Sequence, residues 1–333
     1  MVLTGAAPGY LAALIARTLT GVGSAGSNVP MMGLASAWFA KKWRGTATGL
    51  IVGGSGCALL VSGWLVPALT TDRGPDGWRI GWYVLGGLVV LIAIAALAVL
   101  RNRPEEKGLR PIGSKGIQLA VGALETTRGG WHLVFKSKPL WQLGGVYFLF
   151  GFSYIIYTTF FSAFLVKEAS LSEQEAGQAF AVVGMLSIVS GFIWGTVSDR
   201  VGRRYGLSIV FVLQAAAIGL FVLASDSLGF FASAALFGLA AWSVPAIAAA
   251  ACGDYVGAKL APAALGFVTI MFGIGQAIGP YFAGLMKDAT SSFEAAFLTA
   301  SGASLIAAVA SQTLAQPASV PRVEPALSTD VDH

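Results

Sequence analysis

The chain has 333 residues, 56% of them hydrophobic and only 11% charged, with a formal net charge of +5. A soluble domain carries about 25% charged residues, so the composition excludes a water-soluble globular protein and points to an all-α polytopic protein in a lipid bilayer. The basic excess falls in a few short loops, the pattern of membrane topology, and gives no reason to expect a nucleic-acid partner.

Nine apolar stretches of membrane-crossing length follow in order, at 10–38, 45–69, 80–100, 140–165, 175–197, 206–224, 229–251, 261–286 and 292–315, each near the ~20 residues that a bilayer requires. Residues 1–100 thus hold three spans and 140–315 hold six. Between them, 101–139 is a polar, charged linker with Pro104 and Pro111. Residues 316–333, with three prolines and several acids, are expected to be a disordered tail. One set of loops carries most of the basic residues: Lys41, Lys42 and Arg44, the linker, Arg200, Arg203 and Arg204, and Lys259. That set is expected to face the cytoplasm, which places the C-terminus inside.

Arg17 stands about two turns inside the first span, where a cation costs about 2.5–3.5 kcal/mol on insertion scales and needs a partner or a wet cavity. Arg17, Gly21, Ser24 and Asn28 recur at helical spacing and form one small or polar stripe. The stripe is expected to line a central cavity, with Arg17, Ser24 and Asn28 as cavity candidates; the plain alternative for Arg17 is snorkelling to the interface. Trp38, Trp43, Trp78 and Trp82 lie at span ends and fit interfacial anchors. In the 140–165 span, Tyr147, Gly151, Tyr154, Thr158 and Phe161 share a face, and Gln142, Ser153 and Tyr157 are near it. A tyrosine hydroxyl in a membrane seeks a partner, so Tyr154 is a cavity candidate, with ordinary packing as the rival reading. Gln276 shares a face with Thr269, Gly273 and Pro280, and a buried amide must be satisfied by something. Trp242 and Gln214 are weaker candidates. Cys57 and Cys252 fit small packing residues rather than a disulfide. Two histidines and no P-loop pattern argue against a metal centre or a nucleotide cofactor. No nucleophile–base constellation suggests an enzyme.

The turn at 195–204 reads Gly195-Thr-Val-Ser-Asp199-Arg200-Val-Gly202-Arg203-Arg204. Its order, G-x-x-x-D-R-x-G-R-R, resembles the loop signature of the major facilitator superfamily, and Arg17-Thr-Leu-Thr-Gly21-Val-Gly23 is similar to the R-x-x-x-G-x-G pattern of that family's fourth helix. Ala16-Arg17 through Gly56 and Phe150-Gly-Phe-Ser-Tyr154 look like bacterial monocarboxylate-type and YbfB-like carriers. The resemblance implies a two-bundle helical fold and alternating access to a midplane site for a small organic anion. It implies a secondary transporter of the inner membrane, with Asp199, Arg200, Gly202, Arg203 and Arg204 as a conformational latch on the inner face. The alternatives are a plain positive-inside anchor for that loop, and a non-transporting fragment or membrane sensor for the whole chain. The Gly279-Pro280 pair resembles an antiporter kink motif, but on the eleventh helix; the fifth-helix segment from Gly53 lacks it.

A weak internal repeat relates Asn28-Val-Pro30 to Ser243-Val-Pro245 at an offset of 215, and Gly49 and Gly56 to Gly266 and Gly273 at 217. Spans 1–3 then correspond to spans 7–9, so the chain is expected to represent helices four to twelve of twelve. No acid sits deep in any span. Proton coupling would therefore need Arg17 or further helices, and stays open.

Overall fold

The computed structural model describes residues 1–39, 44–70, 74–113 and 131–315. Side chains at some helical positions, including Asn28, fall outside that description, as do Lys41, Lys42 and the tail at 316–333. The helices are α1 (Val2–Gly5), α2 (Tyr10–Trp38), α3 (Arg44–Thr70), α4 (Gly77–Val99), α5 (Trp131–Lys136), α6 (Lys138–Lys167), α7 (Glu173–Val201), α8 (Arg203–Leu223), α9 (Ser227–Ala241), α10 (Ser243–Thr290) and α11 (Glu294–Gln312). Among the described residues, eight segments are long and apolar enough to cross a bilayer. The expected first span is the continuous α2.

α10 is two arms. A Cβ built on Gly253 would lie 3.9 Å from that of Ala261. Eight residues of straight helix rise about 12 Å, so the chain turns back on itself here. The crossing segments are accordingly Ser227–Val256 and Leu260–Thr290, which match the expected seventh and eighth spans.

The seventh span is not one helix, as its apolar run suggested. α9 stops at Ala241 and α10 begins at Ser243. Pro245 lacks the N–H that would bond back across Trp242. The carbonyls freed at the break are capped from outside the ladder: the Ser187 hydroxyl donates to Gly238 O at 3.3 Å, the Trp194 indole N–H to Leu239 O at 2.8 Å, and the Ser243 hydroxyl to Ala240 O. In a bilayer such satisfaction is obligatory. The corresponding point of the repeat, Asn28–Pro30, lies within unbroken α2, so the two copies differ in backbone.

The buried core lies between Val134 and Leu314. Tyr157, Phe161, Phe221, Phe237 and Phe297 form a connected aromatic cluster with centroids 4.0–6.2 Å apart. Such rings contribute area and edge-to-face contacts. Tyr157 Oη lies 2.7 Å from Ser233 Oγ, which donates to Ala217 O at 2.7 Å; α6, α8 and α9 are thereby fastened by a satisfied polar chain. α7 begins in a reciprocal cap, where Ser172 Oγ accepts from Glu175 N and Glu175 Oε2 from Ser172 N.

α3 joins α7 along a seam of small residues. A Cβ on Gly63 would lie 2.5 Å from Gly177 O, one on Gly184 2.2 Å from Leu60 N, and one on Gly56 2.8 Å from Gly184 O. These backbones meet at distances no other residue allows, the packing mode that membranes favour in place of a hydrophobic drive. At the same end as Gly63 and Gly177, Thr70 donates to Glu173 at 3.4 Å. The sequence carries the signal as glycines seven apart at 56 and 63 and at 177, 184 and 191.

Candidate solute site

Tyr154, Gln276 and Trp242 converge from three segments, each near the midpoint of its span. α6 carries Tyr154 on the aromatic face expected from spacing, but most of that face is packed rather than open. Tyr147 and Phe161 are buried, and a Cβ on Gly151 would lie 2.3 Å from Phe272 O. Thr158 spends its hydroxyl on Tyr154 O at 3.0 Å. Tyr154 stacks on Phe150 and Phe272 at 4.9 and 5.7 Å. The stack fixes its ring and aims its hydroxyl at Gln276, whose Nε2 donates to it at 2.7 Å. One turn before Gln276, a Cβ on Gly273 would meet no atom within 4 Å; that face borders open space. One turn after, a Cβ on Gly279 would lie 2.9 Å from Phe152 O, so the Gly279-Pro280 step packs α10 closely on α6.

Trp242 occupies the helix break. Its ring meets Tyr154 edge-on at 5.9 Å, and its Nε1 is buried without a hydrogen-bond partner among the described residues. Composition alone ranked Trp242 low, because a mid-span tryptophan is usually packing; the signal available was Ser243-Val-Pro245 directly after it. Gln214, also ranked low, is fully buried in α8 and donates to Ser153 Oγ at 3.0 Å, with Oε1 unpartnered.

Arg17 lies apart from this group. Its guanidinium stands over the Trp82 ring at 4.6 Å, so Trp82 serves as a cation–π partner as well as lying near a span end. Ser24 is exposed, and a Cβ on Gly21 would meet nothing within 4 Å; the stripe fronts open space. Asn28 lies outside the described side chains. Cys252 is buried as expected, whereas Cys57 is exposed.

At the other candidate element, Arg203 is the hub. Its Nε donates to Asp254 at 2.9 Å, and its Nη1 donates to Ser198 at 2.8 Å and to Asp199. The residue therefore ties the end of α7 and the start of α8 to the end of the first arm of α10. Gly202 makes the turn at φ +94° and ψ 150°, a region essentially reserved for glycine. Arg204 stacks on Tyr205 at 4.5 Å and donates to its hydroxyl at 2.7 Å; Arg200 is exposed. On the opposite face of the fold, Glu168 holds α6 to the α10–α11 turn. It accepts from Lys287, from Ser292 Oγ at 2.6 Å and from Phe293 N at 3.3 Å. Burial alone would raise its pKa, but the Lys287, Ser292 and Phe293 hydrogen bonds together hold it below the usual carboxylate range.

Residues 1–312 match the family described as "Uncharacterised MFS-type transporter YbfB". The chain belongs to that family of major facilitator transporters. As a member it is a multi-pass membrane protein that moves small solutes, and the expected all-α MFS fold holds. It is 26% identical over 320 residues to a putative tartrate transporter of Agrobacterium vitis, which covers 91% of this chain and 69% of that protein. It is 23% identical over 317 residues to a hexuronate transporter of Bacillus subtilis, covering 91% and 72%. The structure of a bacterial homolog of the human lysosomal transporter Spinster, inward-facing and occupied, superposes with a TM-score of 0.69 at 16% identity, covering 93% of this chain and 78% of that one. That likeness concerns the fold.

Proposed function

We propose that this family member is a secondary carrier of a small organic anion in a bacterial inner membrane. Two bundles, 1–100 and 140–315 with the linker 101–139 between them, rock about a midplane site. The Tyr154–Gln276 hydrogen bond carries the reading. Each group sits at mid-depth on a different helix, beside a break in a third, and open space borders the Gln276 face. A polar pair there has no structural duty that apolar packing could not perform, and membrane-embedded polar groups mark solute paths. The tartrate and hexuronate named for the relatives are both carboxylates, which supports the anion class. Arg17, with Ser24 and Asn28 on its stripe, supplies the positive potential of the cavity wall. The Asp199–Arg204 turn acts as a latch on the cytoplasmic face, where the basic loops and the C-terminus lie. Proton coupling, if it operates, runs through Arg17 or through groups outside the described residues.

The test is uptake of labelled tartrate and of galacturonate by proteoliposomes holding the purified chain. Saturable uptake of either, reduced about tenfold or more in kcat/KM by Gln276→Ala through loss of one or two hydrogen bonds, is the expected result. Uptake of both at full rate by Gln276→Ala would sink the site assignment.

A further inference from the structure

We infer that Trp242 is a substrate-contact residue whose indole N–H donates to a carboxylate of the solute. The inference rests on the reading that the Tyr154–Gln276 face binds solute, and it names the group that recognises the charge. Three observations carry it. The first is the orphan donor: Trp242 Nε1 is buried and bonds to nothing among the described residues. A tryptophan N–H can only donate, and a buried donor left unmade is costly enough that native folds retain few without a purpose. The second is its neighbour. Trp242 meets the Tyr154 ring at 5.9 Å, and the Tyr154 hydroxyl accepts from Gln276, which leaves the hydroxyl proton to give. Two donors thus adjoin with no acceptor supplied by the described residues, and the complement of that arrangement is an acceptor-rich, anionic group. The third is the backbone. The chain is broken at Trp242, and α7 satisfies the carbonyls on its α9 side. The opposite side begins a new helix at Ser243, with Trp242 itself as the Ncap residue and no side-chain cap bond, which puts the positive end of that helix at the residue that carries the indole.

The break also lies against the seam that joins the two bundles. A Cβ on Gly191 of α7 would sit 3.5 Å from Trp242 O and 3.9 Å from Val52 of α3. A solute held by Trp242 therefore contacts the element that abuts both α7 and α3.

The experiment measures equilibrium binding of two probes, tartrate and its uncharged diamide, to the purified full chain by isothermal calorimetry. The diamide keeps the shape and loses the charges, so the ratio of the two affinities reads the charge-assisted hydrogen bond, which is roughly twice as strong as a neutral one. Trp242→Phe removes the N–H. A second variant places benzothienylalanine at 242 and changes only N–H to sulfur, which preserves the ring against Tyr154. In both, tartrate binding is expected to weaken about tenfold or more and diamide binding by less, because only the weaker neutral hydrogen bond is lost there, so the ratio falls. A ratio unchanged from wild type in both variants overturns the inference, because it means that water or packing satisfies the indole. Gln276→Ala separates the two claims. If it weakens tartrate binding while the Trp242 variants do not, the site stands and Trp242 is excluded from it. A wild-type chain that binds neither probe overturns both.

Discussion

Tyr154 and Gln276 meet across 122 positions of sequence. Spacing could put each on a polar face of its own helix, but not against the other. At this scale the pair makes a sharp prediction: Tyr154→Phe keeps the stack on Phe150 and Phe272 and removes only the hydroxyl. Folding yield should be unchanged, while apparent affinity for tartrate in the uptake assay falls about tenfold; an unchanged KM would make Tyr154 a packing residue. Arg17 shows the reverse situation. The sequence exposed the anomaly, a cation inside an apolar span, but its cation–π partner Trp82 belongs to α4 and was read only as an anchor. Trp82→Leu should therefore leave Arg17 without its ring and lower thermal stability by about 1 kcal/mol, measured as a shift in the unfolding midpoint that Arg17→Leu does not add to.

The informative elements are the α3–α7 seam and the turn at Gly202. Gly184 faces Leu60 N so closely that a methyl group would overlap backbone, and overpacking of this kind costs about 1–3 kcal/mol. Because the clash exists only where the seam is closed, Gly184→Ala should shift the balance of states by about tenfold or more away from this conformation and slow turnover. Solute affinity per competent site should hold. The check is the initial uptake rate alongside cross-linking of cysteines placed at Thr70 and Glu173, whose side chains meet across the same pair of helices; normal turnover with normal cross-linking would refute it. At Gly202 the backbone conformation, not space, is the constraint: an alanine there should cost about 1–3 kcal/mol of stability, without any clash. The latch itself is tested by Asp199→Asn, which weakens one of Arg203's three attachments and should change transport rate more than affinity.

For the whole molecule, acid stability offers a test. The folded pKa of Glu168 lies below its ordinary 4.5, so its stabilising contribution is fully present above that value and is lost as pH falls through the lower folded value. Melting midpoints of wild type and Glu168→Gln should therefore differ at pH 7, and the gap should narrow progressively as pH falls below 4.5; a gap that stays constant from pH 7 into strong acid would show that Glu168 acts by packing alone.

The fold class was legible because membrane insertion is decided by local composition: twenty apolar residues in sequence suffice, whatever they later touch. The long apolar spans and the basic turn at Asp199–Arg204 belong to that level, as does the anomaly of Arg17. Helix contacts were not legible to the same degree, since lipid is as apolar as leucine and hydrophobicity does not say which helix meets which. So the partnership of Tyr154 with Gln276, and the side of α7 that receives Gly56 and Gly63, were decided only in three dimensions. Each depends on backbones packing too closely to leave room for a side chain or on polar groups finding one another in the absence of water. Those are tertiary events: the sequence supplies the small residue or the unpaired donor, and the packed helices choose its partner.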